Sequence, residues 1–168
     1  MIAIGIDCGI KYIGISMFEN KELIYCNYIS ADKSCASETE VLISLMNNVK
    51  KDHILMDKVY ENKNDCKVLI EYPEQYSNSP APRIHVQALA FTAGGLVNLF
   101  SEVGCTNVGI VLPKEWKGQV PKDIFLKRIM GRLSVKEKEI LTCRNFAKSK
   151  EHNVIDGIGI GLYSISRI

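Results

Sequence analysis

The chain has 168 residues and 18.8 kDa, 46% hydrophobic and 24% charged. That is enough to bury roughly two-thirds of the unfolded surface in one core, and the single domain is expected to span 1–168. The balance excludes long disorder, collagen and coiled coil. No apolar run reaches the ~18 residues of a membrane span, and MIAIGID lacks the basic start of an export signal, so a cytoplasmic protein is expected.

Residues 2–7 (IAIGID) alternate as a strand, with Ile2, Ile4 and Ile6 on one side and Ala3, Gly5 and Asp7 on the other. After the turn 8–11, residues 12–18 and 22–29 read as two more strands around the polar turn Glu19-Asn20-Lys21. Strands so closely spaced form an antiparallel meander. One helical stripe is expected over 37–61, through Val41, Leu42, Leu45, Met46 and Val49 and on through Ile54, Leu55 and Val59. A buried strand follows at 67–71 (KVLIE), then a proline-bearing loop, a small-residue helix at 84–102 and a strand at 107–112. Helices are expected near 121–131 and 134–147, and a last one from about Glu151. The order predicts an α/β fold: a five-stranded mixed sheet, three strands antiparallel and the later ones parallel, with helices on both faces.

Six cysteines include no CxxC pair, so the expectation is reduced thiols rather than a zinc knuckle or a disulfide framework. The net charge of +2 hides an asymmetry. Residues 1–112 carry 9 Lys/Arg against 13 Asp/Glu, whereas residues 113–150 carry 11 against 4. A local surplus of that size suits a polyanion, although a charge run alone is more often a solvated helix face.

Three acids stand where a core disfavours them. Asp7 ends the first strand, Glu71 ends the fourth, and Asp156 interrupts the apolar last helix. Ligand sites of open α/β sheets form beyond the carboxyl ends of strands. Carboxylates gathered there repel unless a hard cation such as Mg2+ or Mn2+ neutralises them. Gly157 and Gly161 are four apart on one helix face, each costing about 1 kcal/mol against Ala in a helix. Close packing on the Ala3/Gly5/Asp7 side of the first strand would offset that cost and carry Asp156 towards Asp7. His152 and Asn153, at i−4 and i−3, share the Asp156 face.

The stretches IGIDCGIKYIGISMF, VLIEYP and HNVIDGIGIGL resemble, in order, the three acidic motifs of the ribonuclease H-like superfamily, and most closely those of RuvC-type Holliday-junction resolvases of the phage type. LPKEWKGQVPKDI adds to that likeness. The resemblance implies that Asp7, Glu71 and Asp156 bind Mg2+ or Mn2+. The family usually has a further Asp or His one turn before the last acid. Here either His152 or Asn153 fills that place, with His152 favoured as the catalytic group and Asn153 the alternative ligand. The family's aromatic wedge, a few residues past the Glu, is matched by Tyr72 or Tyr76, since Glu74 holds the i+3 position. Trp116 reads as a core plug.

The expected function is a metal-dependent endonuclease that resolves Holliday junctions or other branched DNA by symmetric nicking. Two metal ions would bridge the scissile phosphate. Arg83, Lys114, Lys117, Lys122, Lys127, Arg128 and Arg132 are candidate phosphate contacts. Symmetric nicking calls for a homodimer, with the 84–102 helix as candidate interface. A YqgF-type RNA-processing nuclease and a nuclease-dead binding module are the alternatives. A sugar-kinase-like or actin-like ATPase shares the first motif but needs a second domain.

Overall fold

The computed structural model describes residues 1–74 and 83–168, Arg83 by its backbone alone. Five strands, β1 (Ile2–Cys8), β2 (Tyr12–Glu19), β3 (Glu22–Ser30), β4 (Cys66–Glu71) and β5 (Asn107–Val111), form one sheet of order β3-β2-β1-β4-β5. The β1–β2 and β2–β3 pairs are antiparallel, and β4 runs parallel to both β1 and β5. The fold class read from the sequence is therefore the observed one.

The meander follows from its turns. Asn20 (φ 51°) and Lys21 (φ 70°) both adopt left-handed backbone, the conformation a two-residue hairpin with the right twist requires. The parallel pair needs a crossover, supplied by α1 (Glu38–Lys50) and α2 (His53–Asn62); α3 (Arg83–Glu102) makes the next.

The single helical stripe expected over 37–61 is in fact two helices. Asp52 caps the second, its side chain accepting the Leu55 N–H at 3.2 Å. The same carboxylate accepts the Tyr25 hydroxyl at 2.5 Å and the Asn27 amide at 2.9 Å. Those tertiary bonds fix the break, which the apolar period alone cannot show. Downstream, a single turn α4 (Pro113–Trp116) leads to α5 (Lys122–Arg132) and α6 (Val135–Cys143). The last helix, α7 (Lys148–Ser164), starts three residues earlier than expected.

Alternation on the strands divides the core in two. Ile2, Ile4, Ile6, Ile13, Ile15, Met17, Val68 and Ile70 pack against α1, α2 and α3. Ala3, Phe18, Cys26 and Val111 pack with Trp116, Phe125 and the apolar residues of α7. α3 meets the length and hydropathy of a membrane span, mean hydropathy 1.3 over Ile84–Glu102, although no unbroken apolar run does. Here its Thr92, Ala93, Leu96, Leu99 and Phe100 are buried, the ordinary place of a core helix, while Ile84 and Phe91 stay exposed at 54% and 70%.

Candidate active site

The site is set by how closely α7 lies on the sheet. A Cβ at Gly5 would lie 2.2 Å from the Gly161 nitrogen, and one at Gly14 would lie 2.0 Å from the Asn153 carbonyl oxygen. A Cβ at Gly157 would lie 2.7 Å from the Gly14 oxygen. Only glycine permits this backbone-on-backbone contact. The buried Ser16 hydroxyl closes it by donating to the Gly157 carbonyl at 2.8 Å. The contact expected between α7 and the small side of β1 is thus present, and it extends onto β2.

That face carries the acids. The β1–β4 register pairs Ile6 with Ile70, so Asp7 and Glu71 leave the sheet side by side on the α7 face. Asp7 is buried. Burial pushes its carboxyl well above the ordinary range, and the charges of Glu71 and Asp156 push it further. Glu71 is raised by burial, with Lys117 and the Trp116 indole pulling the other way. Asp156 is raised by burial too, against the opposing charges of Lys117, Lys122 and His152. Three carboxylates from β1, β4 and α7 therefore lie in one field, and the fold penalises their negative charge.

Trp116 and Lys117 tie this cluster to the rest of the site. The indole Nε1 donates to Glu71 Oε2 at 2.7 Å, and Lys117 Nζ reaches the same oxygen at 3.4 Å. The Trp116 ring is buried against Phe125 (centroids 5.0 Å apart, edge-on) and abuts Gly159 of α7. Trp116 is a core plug, as expected, but it also orients a carboxylate. The sequence signal was slight: the chain's single tryptophan lies between two lysines near a strand end.

By donor chemistry, one buried carboxylate (Asp7) and two half-buried ones (Glu71 and Asp156) suit a hard divalent cation. Among the described residues, no three His, Cys, Asp or Glu side chains converge closely enough to hold one as they stand. Lys117 pairs with Glu71, its Nζ 3.4 Å from Oε2.

No protein-family model matches the chain, and no curated protein matches it. Solved structures do. Thermus thermophilus RuvC in complex with a Holliday junction substrate aligns at TM-score 0.69 and 17% identity, over 99% of this chain and 95% of that one. A further Thermus thermophilus RuvC structure aligns at 0.60 and 16%, over 96% and 92%. The yeast mitochondrial Holliday junction resolvase Ydc2 aligns at 0.52 and 14%, over 95% and 75%. The chain has the ribonuclease H-like fold of RuvC.

On this RuvC fold the remaining expected site residues fall in different places. His152 is half-buried and acts on the charge of Asp156. Asn153 is buried, with its backbone carbonyl pressed towards Gly14. Lys122, Lys127, Arg128 and Arg132 are exposed along α5, and Lys122 is near enough to act on Asp7 and Asp156. Lys117 belongs to the acidic cluster itself, and Lys114 pairs with Glu74 at 2.6 Å. Tyr72 is half-buried and packs against the core on the α3 side of the sheet, away from the acids. Tyr76 and the Arg83 side chain lie outside the described residues.

Proposed function

We propose that this chain is a divalent-metal-dependent endonuclease for branched DNA, with four-way junctions as its foremost substrate. The observation that carries the reading is the meeting of Asp7, Glu71 and Asp156 in one electrostatic cluster, each from a different element of a RuvC fold. The exposed basic helix α5 beside that cluster supports a phosphodiester backbone as the ligand. That a solved RuvC with this fold holds a Holliday junction substrate supports the choice of branched DNA.

Asp7, Glu71 and Asp156 would hold the Mg2+ or Mn2+. Bound there, the ions supply a polarised phosphodiester and a water of lowered pKa. The chain's own groups prepare the ground. The Trp116 indole fixes Glu71 Oε2 and leaves the rest of that carboxylate to turn towards the ligand. Lys117 neutralises Glu71 in the free protein and must give way, or move to a phosphate oxygen, as the site fills. His152 stands beside Asp156, where an imidazole can take or give a proton. Paired cuts need two such sites, and the exposed Ile84 and Phe91 of α3 support a homodimer through that helix.

The test uses labelled four-way junction, duplex, flap and single-stranded RNA, each with Mg2+, with Mn2+ and with chelator. Paired nicks in the junction, absent with chelator, are expected. Cutting confined to RNA, or no cutting of any substrate with either metal, overturns the reading.

A further inference from the structure

The basic stretch of the sequence does not lie on one side of the acids. Lys117, at the end of α4, reaches Glu71 at the end of β4, and α5 packs on α7 next to it. α6 packs on the edge strand β3, where Glu137 accepts the Leu23 N–H, and residues 144–150 follow along that edge. This loop and helix start carries Arg144, Lys148 and Lys150, all exposed, and no acid. The Arg144 guanidinium lies 4.5 Å from the Tyr25 ring centre and the Lys150 ammonium 4.9 Å from that of Tyr28, both on the edge strand β3. Tyr28 stacks in turn on Tyr12, with centroids 5.6 Å apart and planes at 23°. Tyr12 lies against Gly9, where a Cβ would come 2.3 Å from its ring. A column Lys150–Tyr28–Tyr12–Gly9 thus ends two residues from Asp7.

One feature of this segment does not serve stability. Lys148 and Lys150 sit in the first turn of α7, at the positive end of the helix dipole, where cations are disfavoured. Lys150 also sits over the Tyr28 face, a contact that adds a little stability and holds the ammonium at the edge of the sheet. β4 and β3 are three strand spacings apart, about 14 Å. At ~3.4 Å per nucleotide along one strand, that is roughly four nucleotides.

We propose that Arg144, Lys148 and Lys150, with Lys150 over Tyr28 and Arg144 over Tyr25, are a second phosphate-contacting flank, so that a DNA strand crosses the acids from the α5 side to residues 144–150. The inference rests on the nuclease reading above and adds the far side of its footprint. Only a polyanion long enough to span both flanks uses them together.

The test is anisotropy of the full-length protein on a labelled four-way junction in chelator, over a range of salt. Lys148→Gln with Lys150→Gln should weaken binding about tenfold and flatten the slope of log K against log salt by roughly 1.8, at ~0.9 per phosphate contact. Tyr28→Leu should weaken binding about threefold, and Tyr28→Phe should not. Melting temperature separates the outcomes. A double variant that melts as the wild type does, or higher, with a flattened slope supports the flank. An unchanged slope overturns it, whether or not the melting temperature falls. A wild type that prefers junction no more than duplex, with the slope still lost in the double variant, removes the branched-DNA reading and leaves the flank. A wild type that binds no DNA removes both.

Discussion

The two faces of the sheet are packed by opposite rules. Towards α1, α2 and α3, strands β1, β2 and β4 present Ile2, Ile4, Ile6, Ile13, Ile15, Met17, Val68 and Ile70. Large side chains there keep the helices at a distance, and a lost methylene is absorbed at modest cost. Towards α7, the same strands present Ala3, Gly5, Asp7, Gly14 and Ser16, and the helix answers with Gly157 and Gly161. That face gives up apolar volume and helix propensity for position. It fixes the backbone of α7 against β1 and β2, and so places Asp156 in the field of Asp7 and Glu71. One face mainly stores stability, and the other mainly stores geometry.

The largest expected effect removes what the second face is for. Asp7→Asn should lower junction cleavage by about a thousandfold or more, ~4 kcal/mol, if Asp7 holds the metal. It should also raise the melting temperature in chelator. The fold holds the Asp7 carboxyl well above its ordinary range because burial and two neighbouring acids oppose its charge. A raised acid destabilises the fold in full above its folded pKa, and the penalty shrinks as pH falls below that value and is gone at the ordinary, unfolded pKa. Asparagine carries no such penalty at any pH. Mg2+ should then stabilise the wild type far more than the variant. A variant that cuts at the wild-type rate, or melts lower in chelator, would break the contrast between the faces.

Next comes a matched pair across the sheet. Gly5→Ala places a methyl 2.2 Å from the Gly161 nitrogen, with backbone on both sides and nothing flexible to yield. It should cost about 3 kcal/mol or more, the upper end of overpacking. Ile4→Val, its neighbour on the other face, is fully buried yet should cost only about 1 kcal/mol. Urea denaturation of both variants measures the difference, and equal costs would deny that the faces differ.

Much of this was legible before the structure. Asp7 and Glu71 stood out because each follows an apolar run at a strand end, and the glycines of α7 announced close packing because they are costly in a helix. The break at Asp52 was not legible, since the apolar period runs on through it and the deciding bonds come from Tyr25 and Asn27, distant in sequence. The hydrogen bond from Trp116 to Glu71 was hidden for the same reason. Charge counting found the basic segment, but a count has no geometry and could not divide it between the Glu71 end of β4 and the edge strand β3.

A third prediction concerns how the α7 face is closed at its β3 end. Glu137 is buried there, accepting the Leu23 and Ser134 N–H groups at 2.8 Å each and pairing with Arg167. Burial works to raise its carboxyl, but Arg167 and the two backbone donors outweigh it and hold the pKa down to about 2. A depressed acid contributes stability that is complete above its unfolded pKa, ~4.3, and is lost as pH falls through the folded one. The contribution is roughly 3 kcal/mol at neutral pH. Glu137→Gln should lower stability at pH 7 by about that amount and flatten its decline between pH ~4.5 and ~2. An unaltered acid limb in the variant would place the acid sensitivity elsewhere.

The smallest expected effect separates two adjacent residues of α7 that the sequence left as alternatives. Asn153 lies at the packing contact: it is buried and its backbone carbonyl oxygen is pressed towards Gly14, where only glycine fits. His152 is half-buried and near enough to act on Asp156. If geometry is what this face stores, the residue acting on Asp156 should govern the chemistry and the one at the contact with β2 should govern the fold. His152→Ala should therefore slow cleavage about a hundredfold with little change in melting temperature, the loss typical of a positioned proton-transfer group. Asn153→Ala should lower the melting temperature and slow cleavage less than tenfold once the protein is folded. Single-turnover rates on the four-way junction, taken with thermal melts of both variants, decide the matter. The reverse pattern, a folded Asn153→Ala protein that has lost its rate beside an active His152→Ala, would give the fourth position to Asn153. His152 would then be an ordinary residue in the second turn of the helix, and the division of labour along α7 would run the other way.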